Sequence, residues 1–109
     1  MLHSLRQGEA ICATATPPGR SAVAIVRMSG QGVVTIANKV THKKLLPRQA
    51  THTSFYDSDN KIIDQGIAIY FQTPASFTGE DMIELHCHGN PVVSSLLLKT
   101  LCEYGNRKE

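Results

Sequence analysis

The chain has 109 residues, enough for one small domain with a modest core. Its 41% apolar and 18% charged residues exclude an intrinsically disordered chain, and a net charge of +2 is too small to single out nucleic acid as a partner. Three cysteines, Cys12, Cys87 and Cys102, are odd in number and show no CxxC spacing, so neither a disulfide framework nor a zinc ribbon is implied.

Residues 1–9 carry Gly and charge with no hydrophobic period, and are expected to lie frayed ahead of the domain. Residues 10–16 read as a strand, and Pro17-Pro18-Gly19 as the turn that ends it. A second strand, 22–29, is rich in β-branched residues (Val23, Ile25, Val26) but carries Arg27 where an apolar residue would be expected. Ser29-Gly30-Gln31-Gly32 breaks it. Val33, Ile36, Ala37 and Val40 then fall at helical spacing, and Pro47 closes the connection that follows.

Residues 51–56 and 61–71 read as a hairpin around the polar turn Asp57-Ser58-Asp59-Asn60. Along its second strand, Ile67, Ile69 and Phe71 share one face and Ala68 and Tyr70 the other. After a loop over 73–79, a fifth strand spans 81–88. Ile83, Leu85 and Cys87 point one way, while Met82, Glu84, His86 and His88 point the other. The last element is a helix with Asn90 as N-cap and Pro91 at its first position. Its expected apolar stripe is Val93, Leu96, Leu97, Leu101 and Tyr104, and Gly105 is its stop. The order predicts an α+β domain: a mainly antiparallel or mixed five-stranded sheet with two helices on one face. The domain is assigned to residues 10–105 and a tail to 106–109.

Arg27 and Glu84 are the two charges set inside apolar strands. A charge there is costly unless paired or solvated. Two strands with opposite charges therefore predict either a structural ion pair or the walls of a polar ligand pocket. His86 and Cys87 face opposite ways, so His86-Cys87-His88 cannot converge on a metal, and no metal site is expected. There is no GxxxxGK[ST] and no GxGxxG, so the chain has no P-loop and is not expected to be catalytic alone. It has no signal-peptide-like run and no apolar stretch of spanning length, which predicts a cytoplasmic protein without a membrane role.

Two segments, Ala15-Thr16-Pro17-Pro18-Gly19-Arg20-Ser21-Ala22-Val23-Ala24-Ile25-Val26-Arg27-Met28-Ser29-Gly30 and Pro74-Ala75-Ser76-Phe77-Thr78-Gly79-Glu80-Asp81-Met82-Ile83-Glu84-Leu85-His86-Cys87-His88-Gly89, closely resemble the N-terminal domain of the tRNA-modification GTPase family MnmE, also called TrmE. The resemblance covers about residues 10 to 104 and its motifs are long and ungapped. It implies a fold similar to the folate-binding domain of one-carbon enzymes such as the glycine cleavage T-protein. It also implies binding of a formylated tetrahydrofolate, with Arg27 and Glu84 as the cofactor-binding residues, and dimerisation. In the intact family protein a helical domain and an inserted GTPase domain follow. That protein works with the flavoprotein MnmG on the wobble uridine of tRNA.

The sequence departs from the family pattern at Gly8-Glu9, where Asp-Thr is usual, and at Gly89-Asn90, where Gly-Gly is usual. Asn is well tolerated at positive φ and is a better cap than Gly, so the change is expected to do little harm. The family's R-P-G-E-F run and the folate-contacting Lys after it have no counterpart, so the chain reads as a truncated fragment. Two other functions follow from the same residues. One is a non-catalytic interaction or dimerisation module that no longer binds folate. The other is an independent one-carbon enzyme, for which His86 or His88 would have to supply the general base.

Overall fold

The computed structural model describes residues 2–5, 10–14, 22–73 and 80–105. Six strands and two helices follow in the order β1 (Leu2–Leu5), β2 (Ala10–Thr14), β3 (Val23–Gly30), α1 (Val33–Thr41), β4 (Thr51–Tyr56), β5 (Ile62–Phe71), β6 (Met82–His88) and α2 (Pro91–Gly105). They form one six-stranded sheet in the spatial order β1-β2-β3-β6-β5-β4, and every neighbouring pair is antiparallel. The α+β reading stands, and the count of five strands is corrected to six. The extra strand is β1, in a segment expected to be frayed. It pairs with β2 from Leu2↔Ala13 to Leu5↔Ala10. Backbone pairing at a sheet edge needs no side-chain period, so the sequence gives no sign of it. Residues 6–9, the turn at Pro17-Pro18-Gly19, the loop over 74–79 and the tail 106–109 lie outside the described residues.

Strand alternation divides the sheet into two unlike faces. Ala24, Val26 and Met28 of β3, Ile83, Leu85 and Cys87 of β6, and Ala68 and Tyr70 of β5 lie on one face. They pack with Val33, Ile36, Ala37 and Val40 of α1 and with Leu97, Leu101 and Tyr104 of α2 in a single core. Both helices therefore cover this face. The α1 stripe is the expected one. In α2 the stripe is narrower: Leu96 is exposed, and Thr100 takes a buried place beside Leu101. A helix laid on a sheet already shared with α1 buries one strip, and Leu96 falls outside it.

The caps and turns fix where the strands run. Asn90 Oδ1 accepts the Val92 N–H at 2.8 Å, the side-chain cap expected of it. Gly30 and Gly32, with φ of 121° and 83°, hold left-handed conformations between β3 and α1. Asn90 is not among the left-handed residues, so its gain over Gly is the cap alone. Asp57 Oδ1 accepts the Asp59 and Lys61 N–H groups, both at 2.9 Å, and closes the β4–β5 turn. No helix among the described residues is long and apolar enough to cross a membrane.

Candidate functional site

The face without helices carries the odd positions of β3 and the even positions of β6. Arg27 and Glu84 are direct cross-strand partners there, flanked by Ser29↔Met82 and Ile25↔His86. On the far side of β6, Glu84 faces Ile69 of β5. The Arg27 guanidinium donates from Nε at 3.0 Å and from Nη2 at 2.6 Å, both to Glu84 Oε2. His86 Nε2 lies 3.0 Å from Glu84 Oε1. An ionised carboxylate only accepts, so that imidazole nitrogen carries the proton.

Both expected binding residues therefore meet on one face, and they meet as an ion pair. The pair is asymmetric: the Glu84 side chain is 10% exposed and that of Arg27 39%. Burial pushes the Glu84 carboxyl up, but the hydrogen bonds from Arg27 and His86 outweigh it and hold the group below its ordinary range. Glu84 is thus a permanent anion at neutral pH.

A second carboxylate–imidazole pair sits at the end of the same strand. The β5–β6 ladder stops at Ile67↔His86. Beyond it, the Asp64 carboxylate takes the place of a backbone partner and accepts the His88 N–H at 2.8 Å. His88 Nδ1 lies 2.9 Å and 3.0 Å from the two Asp64 oxygens, so the donor proton is on Nδ1 and Nε2 is left outward. Burial raises the Asp64 carboxyl, and its hydrogen bonds to His88 and Gln65 carry it below its ordinary value. The splayed strands open a cleft of about 340 Å³ on the helix-free face, lined by Val23, His52, Gln65, Ile67, His86 and His88 among others. Gly66 lets β5 run this close to β6 at the cleft, since a Cβ there would fall against the His86 carbonyl oxygen.

Sequence reasoning placed Arg27, Glu84, His86 and His88 on one side, and the structure does the same. It missed the two carboxylate–imidazole pairs. The Glu84–His86 pair was legible in the i, i+2 spacing along β6. The Asp64–His88 pair was not, because it depends on where the ladder ends. No group of three or more His, Cys, Asp or Glu among the described residues could hold a metal ion. Cys87 is buried in the core, and burial, with Asp64 nearby, pushes its thiol up to about 11. The side chain of Cys12 lies outside the described residues.

A family model described as "GTP-binding protein TrmE N-terminus" matches residues 10–108. The chain belongs to the TrmE N-terminal domain family. Among its relatives, the tRNA modification GTPase MnmE of Polynucleobacter asymbioticus is 52% identical over 95 residues, covering 87% of this chain and 21% of that protein. The MnmE of Francisella philomiragia is 48% identical over 99 residues, covering 91% of this chain and 22% of that protein. That of Nitrosomonas eutropha is 45% identical over 103 residues, covering 94% and 23%. The chain thus spans about a fifth of the length of these relatives. The TrmE match spans both segments, and Arg27 and Glu84 lie within it.

Proposed function

We propose that this chain is the folate-binding and dimerisation domain of an MnmE-like tRNA-modification GTPase. The ligand is a formylated tetrahydrofolate. The observation that carries the reading is the Arg27–Glu84 pair: a permanent carboxylate and a guanidinium, inside the family match and on a sheet face that the helices leave open. A pterin ring presents an amino group and a ring N–H side by side, and Glu84 is the acceptor for them. The Arg27 side chain is 39% exposed, which puts its guanidinium within reach of a carbonyl or carboxylate of the same ligand. In the intact protein the one-carbon unit serves wobble-uridine modification, together with an MnmG-like flavoprotein and tRNA. The chain alone is a binding module, and the chemistry belongs to the rest of the protein and its partners. It acts as a homodimer in the cytoplasm.

Titration calorimetry of the chain with formyl-tetrahydrofolate tests the ligand. Saturable heat at micromolar to millimolar ligand is the expected result. No heat at millimolar ligand leaves the second reading, a dimerisation module that no longer binds folate. One observation favours that reading: both Glu84 oxygens are already engaged by Arg27 and His86. Sedimentation across a concentration series tests the dimer, and a strict monomer at high concentration counts against it. The outer edges of β1 and β4, which end the sheet, suit such pairing.

A further inference from the structure

The net charge of +2 hides an uneven distribution. Residues 31–56 hold four of the chain's 11 Lys and Arg, namely Lys39, Lys43, Lys44 and Arg48, and none of its nine Asp and Glu. Lys39 lies in the last turn of α1, where a cation suits the carbonyl end of the helix. Lys43, Lys44 and Arg48 follow in the connection to β4, and all three are exposed. Among the described residues, no carboxylate pairs with Lys44 or Arg48. We propose that this connection is a phosphate-binding surface that docks the backbone of an RNA, with Lys44 and Arg48 as its contacts and Lys43 adding its charge beside them.

The connection is pinned along its length. Thr41 Oγ1 donates to the Ala37 carbonyl at 2.8 Å, Asn38 Oδ1 accepts the Leu45 N–H at 3.0 Å, and the Leu45 side chain is buried in the core. His42 stacks on Tyr56 of β4, with ring centroids 3.8 Å apart and planes 4° from parallel. Lys43 Nζ donates to the His52 carbonyl of β4 at 3.0 Å, a neutral acceptor that leaves the lysine charge uncancelled. The β4–β5 ladder begins at Thr51↔Ala68, and two residues further along β5 the Tyr70 carbonyl accepts the Arg48 N–H at 2.8 Å. Residues 42–48 are thus tied to the sheet at both ends, and a cationic surface already ordered loses little freedom on binding.

Backbone geometry points the same way. His42 and Arg48 have φ of 56° and 61°, in the left-handed region where Gly or Asn sits at lower cost. A long cation kept at such a position marks a side chain that serves a contact. An ammonium group and a guanidinium fork match phosphate oxygens, and contacts of that kind position a nucleic acid without reading its bases. The acid closest in sequence, Asp57, turns its Oδ1 onto the Asp59 and Lys61 N–H groups of the β4–β5 turn. The choice of RNA over an acidic protein rests on the tRNA part of the reading above. The site stands apart from the folate part, since β4 lies two strands away from β6 in the sheet.

The test is fluorescence anisotropy of a labelled tRNA transcript titrated with the chain, at salt concentrations from about 50 to about 200 mM. Binding is expected to weaken with salt, with a slope of log affinity on log salt of about −2 to −3. Lys44→Gln and Arg48→Gln are each expected to flatten that slope by about one, and the double variant to lose about tenfold or more in affinity at the lowest salt. Lys99→Gln, which removes an exposed cation of α2, is expected to keep both slope and affinity. Lys44→Gln carries the test on its own should Arg48→Gln fail to fold. Binding that Lys44→Gln and the double variant leave unchanged, or a loss as large in Lys99→Gln, would overturn the inference. So would absence of tRNA binding by the wild type at the lowest salt, which would give the surface to an acidic protein partner. None of these outcomes touches the folate reading, whose site lies on β3 and β6.

Discussion

Arg27 and Glu84 face each other directly across β3 and β6, and two guanidinium nitrogens converge on one oxygen of a buried carboxylate. The arginine stays partly in water while the glutamate does not. The two halves of the pair therefore differ in what their removal leaves behind. Taking away Arg27 strands a buried anion, and taking away the Glu84 charge leaves a cation that water can reach.

Arg27→Met is accordingly expected to destabilise the domain by about 2–4 kcal/mol in urea denaturation. Arg27→Lys keeps the charge but not the two-bond fork, and is expected to cost about 1 kcal/mol. Equal midpoints for wild type and both variants would show that the pair contributes nothing to the fold.

Gly66→Ala is expected to be more damaging than its size suggests. Its Cβ meets the His86 carbonyl, which is backbone and cannot swing away, and Phe55 Cε2 lies 3.1 Å from the same point. A loss of about 2–4 kcal/mol in denaturation is expected, with β5 and β6 pushed apart at the cleft. A wild-type melting curve for Gly66→Ala would mean that the strands do not approach as closely as described.

Acid should weaken the domain through Glu84 and Asp64. Each folded carboxyl titrates below its ordinary value of 4.5 or 3.8, so the unfolded chain takes up protons first as pH falls. The stabilisation is complete above pH ~5 and is lost as pH drops through the folded values. Melting temperature is expected to be level from pH 7 to 5 and to fall below about pH 4.5. The fall should be shallower in the Glu84→Gln/Asp64→Asn double variant, and an equally steep fall there would assign acid sensitivity to other groups.

Asn90→Ala removes the side-chain acceptor at the start of α2, and a loss of about 0.5–2 kcal/mol in chemical denaturation is expected. Asn90→Gly should cost less, since Gly is a tolerable N-cap. The reverse order would mean that α2 does not begin at this cap.

Much of this arrangement was legible because strand alternation is a local property. Period two along 82–88 put Glu84, His86 and His88 opposite Leu85 and Cys87 without reference to the rest of the fold. The Arg27–Glu84 pairing was legible as one of two alternatives, since opposite charges in two apolar strands have few ways to be satisfied. What escaped was set at a distance. β1 forms through backbone pairing to β2, which leaves no mark in Leu2–Leu5. The Asp64–His88 contact joins residues 24 apart, and exists because the ladder ends two residues earlier. The exposure of Leu96 depends on how α2 is laid across the sheet, and helical spacing alone gave it to the core.

Whether Glu84 is a ligand acceptor is decided by one variant measured two ways. Glu84→Gln keeps the shape and one acceptor oxygen but replaces the other with a donor amide, which opposes the ligand's own donors. Formyl-tetrahydrofolate affinity is expected to fall by ~1–3 kcal/mol, about five- to hundredfold, in calorimetric titration. Stability in urea is expected to fall by less, about 1 kcal/mol, because Arg27 keeps its water and the Gln carbonyl can still accept from it. An unchanged affinity together with a stability loss of ~3–5 kcal/mol would contradict the claim and make Glu84 a structural residue alone.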